Sequence, residues 1–542
     1  MPEPQDGTAV QQLKTTEQAP ASNPDRSQGR MPRWTSRDWL ALSLLAALSL
    51  LLYLPGLGSY GIIDPSDGIY AEAAREMLER GDWLTPSANY KPFFEKPILI
   101  YWLIMCSYKV FGVAPFAARL PAALSAVACV VSLFVLTRQM LSRRAAFLSA
   151  VCLASMPLFA VIAHLSLTDL PLTFFMTVGG LGLLLHLRGK QSPALTLAAY
   201  ASLALIILVK GPAPIVVLGL ILAAYVALSK PRELKPWYRW WGQGLAAVKP
   251  LAGTAIVLAV AAPWYVAEGI ATQGAFYYEF FVRQNLGRAV GAVNHQNPWW
   301  YYAPVFAVGF FPWWLVACLN GRALWSNISK PVLSSDRRAL SLFSAVWVVI
   351  VVALFSAMKA KLATYILPAA PGLAILGGLT LDYWWRSKKG KSIIAFALPF
   401  VIAVPAALLF ARPALERLLT LPPETLWIIG SALAFVFLLS LAAGIFALLN
   451  KPRKAVISMV AATLAACAAF VPSGLFADYW FSHKPLKELV ERAQSDGAAI
   501  ALYLRDSPAA CFYRRGKVNE LYTLLDLKLY AQDQSRPKSL LV

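Results

Sequence analysis

The residues of this chain whose types suit chemistry are carboxylates and cations standing beside long apolar runs. Asp67 lies in Ile63-Asp64-Pro65-Ser66-Asp67-Gly68-Ile69-Tyr70-Ala71-Glu72. There Ile69, Ala73, Met77 and Leu78 have the spacing of an amphipathic helix on a membrane surface, with Ser66 or Asp67 as its N-cap. Capping alone explains an Asp there; acids at a bilayer surface are also often functional. Asp169, in Ser166-Leu167-Thr168-Asp169-Leu170-Pro171, stands at the start of another apolar run and has the same two readings. Phe93-Phe94-Glu95-Lys96-Pro97 sets a lysine among aromatic rings, which suits a lipid phosphate as well as a solvated pair with Glu95. Arg283, Arg288, Lys359 and Lys361 add cations beside a Trp- and Tyr-rich belt at residues 299–302. Together they make a set of cations near a few carboxylates, the equipment for handling a phosphate-bearing substrate.

These residues must be held by membrane-spanning helices. Of the 542 residues 58% are apolar or aromatic and only 14% are charged, with a net charge of +21. The charges fall in short clusters between apolar runs, so they orient a polytopic membrane protein and do not mark a nucleic-acid partner. About thirteen runs approach the roughly 20 residues that a crossing needs. They begin near Trp39, Leu120, Ala145, Leu170, Ala194, Ile215, Leu251, Tyr302, Ala339, Ile366, Ile393, Trp427 and Ala455. The fifth and sixth are weakest, because Lys210-Gly211-Pro212 divides them and allows a re-entrant pair. Arg138, Arg143 and Arg144, Arg188 and Lys190, Arg337 and Arg338, and Arg386, Lys388 and Lys389 occupy alternate loops, which places those loops and the tail before Trp39 in the cytoplasm. The opposite loops, 58–116 and 268–300, are long and carry the candidate residues.

Residues 1–36 read as a cytoplasmic disordered tail, 37–472 as the membrane catalytic domain with 58–116 its first outer loop, and 473–542 as a small outer α/β domain. In that last part a helix is expected at Pro485–Gln494, with strands at Ala499–Leu504 and Cys511–Arg514. The six cysteines show no Cys-x-x-Cys spacing, so neither a zinc ribbon nor a disulfide framework is signalled. Glu95, His295 and His483 are candidates for a divalent metal, though their separations match no ligand motif.

The ordered set Asp67-Gly68-Ile69-Tyr70-Ala71-Glu72, Arg75-Glu76-Met77, Gly81-Asp82-Trp83, Phe94-Glu95-Lys96-Pro97, Tyr101-Trp102, Arg119-Leu120-Pro121 and Lys361-Leu362-Ala363-Thr364-Tyr365-Ile366-Leu367-Pro368 resembles the bacterial aminoarabinose lipid A transferase group. These are GT-C glycosyltransferases related to the protein O-mannosyltransferases, and the resemblance runs from about residue 39 to 480. It implies an inner-membrane enzyme that moves a sugar, 4-amino-4-deoxy-L-arabinose in the best-known branch, from undecaprenyl phosphate to lipid A or another envelope acceptor at the periplasmic face. It implies Asp67 and Asp169 as the acids, Lys96, Arg288 and Tyr365 as phosphate-binding groups, and Tyr70 and Lys361 beside them. The family's Asp-Glu pair reads Ser66-Asp67 here and Ile69 stands where the family has Arg, so Asp64 is the substitute acid. Transfer of another sugar to a glycan, lipid or protein is the alternative. A lipid-linked sugar flippase is the rival of another class; it would need paired half-helices or ionisable residues near mid-bilayer, and the long runs of this chain are nearly free of charge except at their ends.

Overall fold

A computed structural model of the chain describes residues 31–229, 237–287, 296–321, 335–386, 423–470, 484–496, 499–503, 507–532 and 539–541. The architecture is a bundle of helices with a small α/β unit at one end. Helices α1 (Ser36–Tyr53), α2 (Ser66–Arg80), α3 (Leu99–Phe111), α4 (Pro115–Arg138), α5 (Arg143–Ala154), α6 (Pro157–Ala163), α7 (Asp169–Leu187), α8 (Pro193–Lys210), α9 (Ala213–Leu228), α10 (Trp237–Ala247) and α11 (Pro250–Ala271) form its first half. Among the described residues seven helices are long and apolar enough to cross a membrane, or up to nine if each of two bent pairs is one span. Twelve of the apolar runs are helical at the expected places, the third and eighth as those bent pairs. The run near Ile393 lies outside the described residues.

The weak fifth and sixth runs are two separate helices, α8 and α9, divided at Gly211 and Pro212. Gly211 has φ +88°, and a Cβ there would meet Phe280 Cζ at 2.7 Å, so the turn needs glycine on both counts. Helix ends are fixed by charge. Asp38 accepts from the Thr35 amide at 2.9 Å and hydroxyl at 2.6 Å, closing a capping box on α1, and from Arg138 Nε of α4 at 2.8 Å. Asp382 is likewise buried among Arg144, Arg337 and Arg386. The basic ends of α1, α4, α5 and the helix Ala370–Arg386 thus gather at one end of the bundle, and the candidate residues at the other.

Two expectations are corrected. Helix α2 does not lie on a surface: its residues from Asp67 to Met77 are buried except Ile69. It is covered by α3, by the short hairpin β1 (Ser87–Ala88) with β2 (Lys91–Pro92), and by the helix Pro508–Arg514. That last helix stands where a strand was expected at Cys511–Arg514. Ser507 caps it by accepting from Ala510 N at 3.2 Å, and Pro508 occupies its first turn, where no amide donor is needed. The strands beside it are β3 (Ala499–Tyr503), β4 (Asn519–Leu521) and β5 (Ser539–Leu541), a parallel sheet in the order β4-β3-β5, with a helix at Lys484–Ser495.

Candidate functional site

Asp67, the first candidate base, is buried among donors. Arg119 of α4 donates to its Oδ2 from Nη2 at 2.6 Å and from Nε at 3.2 Å. Ser166 N donates to Oδ1 at 2.8 Å, the single proton of the Ser166 hydroxyl is shared between the Asp67 carbonyl at 2.6 Å and Oδ1 at 2.8 Å, and Ile63 N donates to Oδ2 at 3.1 Å. A carboxylate offers about four lone-pair positions, and these donors take up most of them. Asp67 is 2% and Arg119 0% exposed. Burial alone would raise the Asp67 pKa, but the Arg119 guanidinium and the Ser166 donors outweigh it and hold the carboxyl below its ordinary value. Arg119 also donates to the carbonyls of Leu57, Tyr60 and Gly61 and lies over the Tyr60 ring at 3.9 Å. The pair therefore ties the loop between α1 and α2 to α4 and to the turn before α7. Asp67 does not cap α2, which begins after Pro65.

Asp64, the substitute acid, is turned elsewhere. Its Oδ1 accepts from Ala509 N at 2.9 Å and its Oδ2 bonds the Ser507 hydroxyl, so it serves the first turn of the helix Pro508–Arg514. Tyr70 is buried in α2 with its ring 6.1 Å from that of Tyr101.

Asp169 is placed differently, at the first residue of α7. Its Oδ1 accepts from Lys210 Nζ at 2.8 Å, with 8% of the Asp169 and 20% of the Lys210 side chain exposed. The same ammonium lies 5.2 Å from the centre of the Tyr365 ring. An acid, a cation and a tyrosine from three segments thus meet at the end of the bundle opposite the arginine-rich one. Lys210 was not among the expected site residues, since Lys-Gly-Pro reads as helix punctuation. The signal available was a lysine closing an apolar run, because such a charge requires a partner.

Two further segments converge on this place through aromatic rings. Phe94, next to Glu95 and Lys96, packs edge-on against Phe276 at 5.8 Å, and Phe276 stacks with Phe280 at 5.4 Å. Phe280 in turn abuts Gly211, the residue after Lys210. Lys96 donates to the Glu95 carbonyl at 3.1 Å, and its ammonium is 3.9 Å from the Glu95 carboxylate. Only 13% of the Lys96 side chain is exposed. Phe280 belongs to a single-stretch π-helix, Tyr278–Leu286, and Arg283 on it is exposed and paired with Glu279 at 3.2 Å. Arg288, His295 and His483 lie outside the described residues.

Lys361 is a strut. It is 4% exposed and donates to the carbonyls of Met358 and, at 3.1 Å, of Asn297. Asn297 Nδ2 donates back to the Lys361 carbonyl at 3.1 Å, and Tyr302 OH to that of Leu362 at 3.0 Å. These bonds pin the segment that follows Arg288 to the segment that carries Tyr365. Among the described residues no three His, Cys, Asp or Glu side chains are grouped so as to hold a metal ion.

The comparisons with known proteins bear on this geometry. The family described as dolichyl-phosphate-mannose-protein mannosyltransferase matches residues 95–266. The undecaprenyl phosphate-alpha-4-amino-4-deoxy-L-arabinose arabinosyl transferase of Pectobacterium carotovorum is 30% identical over 505 residues, 89% of this chain and 86% of its own. The chain belongs to this transferase family. A transferase of the same description, numbered 2, from Pseudomonas fluorescens is 30% identical over 385 residues, a stretch that spans 70% of this chain and 63% of that relative. The crystal structure of ArnT from Cupriavidus metallidurans bound to undecaprenyl phosphate superposes with a TM-score of 0.71 at 22% identity, covering 93% of this chain and 90% of that one. The shared fold is that of the GT-C membrane glycosyltransferases, and this family member is a multi-pass glycosyltransferase built on it.

Proposed function

We infer that this transferase moves a sugar, 4-amino-4-deoxy-L-arabinose, from undecaprenyl phosphate to a phosphate of lipid A or of another envelope acceptor, on the periplasmic side of the inner membrane. The observation that carries the reading is the meeting of Asp169, Lys210 and Tyr365, with the Lys96 segment drawn to the same place by Phe94. In a single displacement the anomeric carbon leaves the donor phosphate oxygen and bonds to an acceptor oxygen with inversion. Lys96 and Lys210, with Arg288 and Tyr365, serve the departing undecaprenyl phosphate, because stabilising the charge that develops on it lowers the barrier most. Asp169 holds the Lys210 ammonium in place. An acceptor phosphate arrives already ionised and needs no proton acceptor, which fits a chain with Ser66 in place of an acid and with Asp67 paired to Arg119. Glu95 remains the candidate for a divalent metal. Residues 37–472 form the catalytic domain and 473–542 its periplasmic cap, anchored through Asp64.

The second reading is transfer of a neutral hexose to a hydroxyl of protein or glycan, favoured by the match of residues 95–266 to the mannosyltransferase family. The test is transfer by the purified full chain in proteoliposomes, offered undecaprenyl phosphate-linked aminoarabinose or hexose with lipid A or peptide acceptors, read by mass spectrometry. Aminoarabinose on lipid A phosphate, lost in Lys96→Ala and partly kept in Lys96→Arg, is the expected result. Hexose transfer alone, or full activity in Lys96→Ala at matched protein levels, overturns the reading.

A further inference from the structure

A groove of about 610 Å³ opens at the basic end of the bundle, away from the candidate site. Arg37, Arg143, Arg144 and Arg386 line it, with Leu44 and Phe147 on its wall. These come from α1, α5 and the helix Ala370–Arg386. The two carboxylates nearby lie beneath the cations. Asp38 and Asp382 are both 0% exposed. Asp382 holds Arg144 at 2.7 Å, Arg337 at 2.9 Å and Arg386 at 3.0 Å, and Asp38 holds Arg138 at 2.8 Å and Arg143 at 3.9 Å. Six guanidiniums thus stand against two carboxylates. The charge left over is on the open side: the side chains of Arg143 and Arg144 are 36% and that of Arg386 55% exposed, and Arg37 is exposed as well.

The first turns of α1 and α5 also face this groove, through Arg37 and Arg143, and helix N-termini favour anions. The apolar wall decides between a soluble anion and a lipid. Leu44 is 54% exposed, and it continues a face of α1 on which Leu40 and Leu51 are 59% and 71% exposed. A face of that kind on a spanning helix meets acyl chains. We propose that this groove is a binding site for one anionic phospholipid of the cytoplasmic leaflet, its phosphate among the four arginines and its chains along α1. The depth follows from the arginine-rich ends, which the positive-inside rule sets in the cytoplasm. A lipid seated there bridges the first helix to α5 and to the helix Ala370–Arg386, and joins elements that are far apart in sequence.

The test uses the full chain purified in detergent and titrated with dioleoyl phosphatidylglycerol, dioleoyl phosphatidylcholine or inorganic phosphate, with bound lipid counted by native mass spectrometry. One phosphatidylglycerol should bind in preference to phosphatidylcholine of the same chains. The double variant Arg37→Gln, Arg143→Gln should weaken it about 30-fold, since each basic residue near an anionic lipid surface contributes about a factor of five. Arg37→Gln alone, in the exposed first turn of α1, should weaken it about fivefold and serves as the decisive variant where the double variant unfolds. Equal binding of phosphatidylcholine, unchanged affinity in Arg37→Gln, or displacement of the lipid by inorganic phosphate at millimolar concentration overturns the proposal.

Discussion

Replacing Asp67 with Asn separates a structural anion from a catalytic one. Every contact of its two carboxylate oxygens is with a donor: Arg119 from Nε and Nη2, Ser166 from amide and hydroxyl, and Ile63 from its amide. An asparagine keeps one acceptor oxygen and turns the other into an NH2 group, so in either orientation a donor meets a donor. Arg119, fully buried, then keeps its charge with only the carbonyls of Leu57, Tyr60 and Gly61 and the Tyr60 ring to hold it. Removing one partner of a buried ion pair costs about 3–5 kcal/mol. A general base lost from the reacting atoms instead lowers the rate by about 10²–10⁴-fold and leaves stability unchanged. The assay is thermal unfolding of the purified chain alongside sugar transfer measured well below either midpoint. Asp67→Asn should lower the midpoint, and Arg119→Met added to it should recover part of the loss, because the uncompensated charge is then gone. A midpoint equal to the parent's with transfer reduced 100-fold or more, on the order expected for a lost base, would refute the structural assignment and return Asp67 to the reacting atoms.

Lys210→Met should reduce transfer by about 100-fold, the scale of one lost electrostatic contact to a developing charge; activity within a few fold of the parent would remove Lys210 from the site. Gly211→Ala should cost about 1–3 kcal/mol, since φ +88° is strained for alanine and the Phe280 ring must move, and chemical unfolding reads it. The Glu72 carboxyl, 1% exposed in α2, is pushed up to about 7 by burial in spite of Arg75. Between about 4.5 and about 7 the folded chain therefore keeps a proton that the unfolded chain has released, so this group's contribution to stability falls as pH rises through that window. Glu72→Gln should remove that pH dependence, worth about 3 kcal/mol, and an unchanged slope in the variant would show Glu72 ionised throughout. An alkaline phosphatase fused after Val542 should be active, whereas activity of a cytoplasm-only reporter at that position would invert the topology.

The parts of this protein legible in its sequence are those governed by nearest neighbours along the chain. Apolar runs became helices because each is long enough to satisfy its backbone internally and ends in groups that fix its limits, as Thr35 and Asp38 do for α1. Ser507 and Pro508 carry an equally local signal for a helix start, and it overrides the strand preference of the aromatic Phe512 and Tyr513 at Cys511–Arg514. Sites depend on partners far apart in sequence, which the residues around each candidate do not reveal. Asp67 lies at a helix start and resembles a family acid, yet Arg119, 52 positions later, makes it a clamp. Asp64 sits two residues before Ser66, yet Ser507, 443 positions later, turns it into a cap contact. Lys210, passed over as punctuation, is the cation that meets Asp169 from 41 positions away. A charge at the end of an apolar run cannot be left without a partner at low dielectric, so each such charge predicts a contact even where sequence does not name it. Arg119, near the start of α4, and Lys210, at the end of α8, both met that condition. Matching them to unassigned carboxylates at the same membrane depth would have offered Asp67 and Asp169 as the two candidates, separated by the rule that a fully enclosed pair is structural while a partly exposed one is open to substrate.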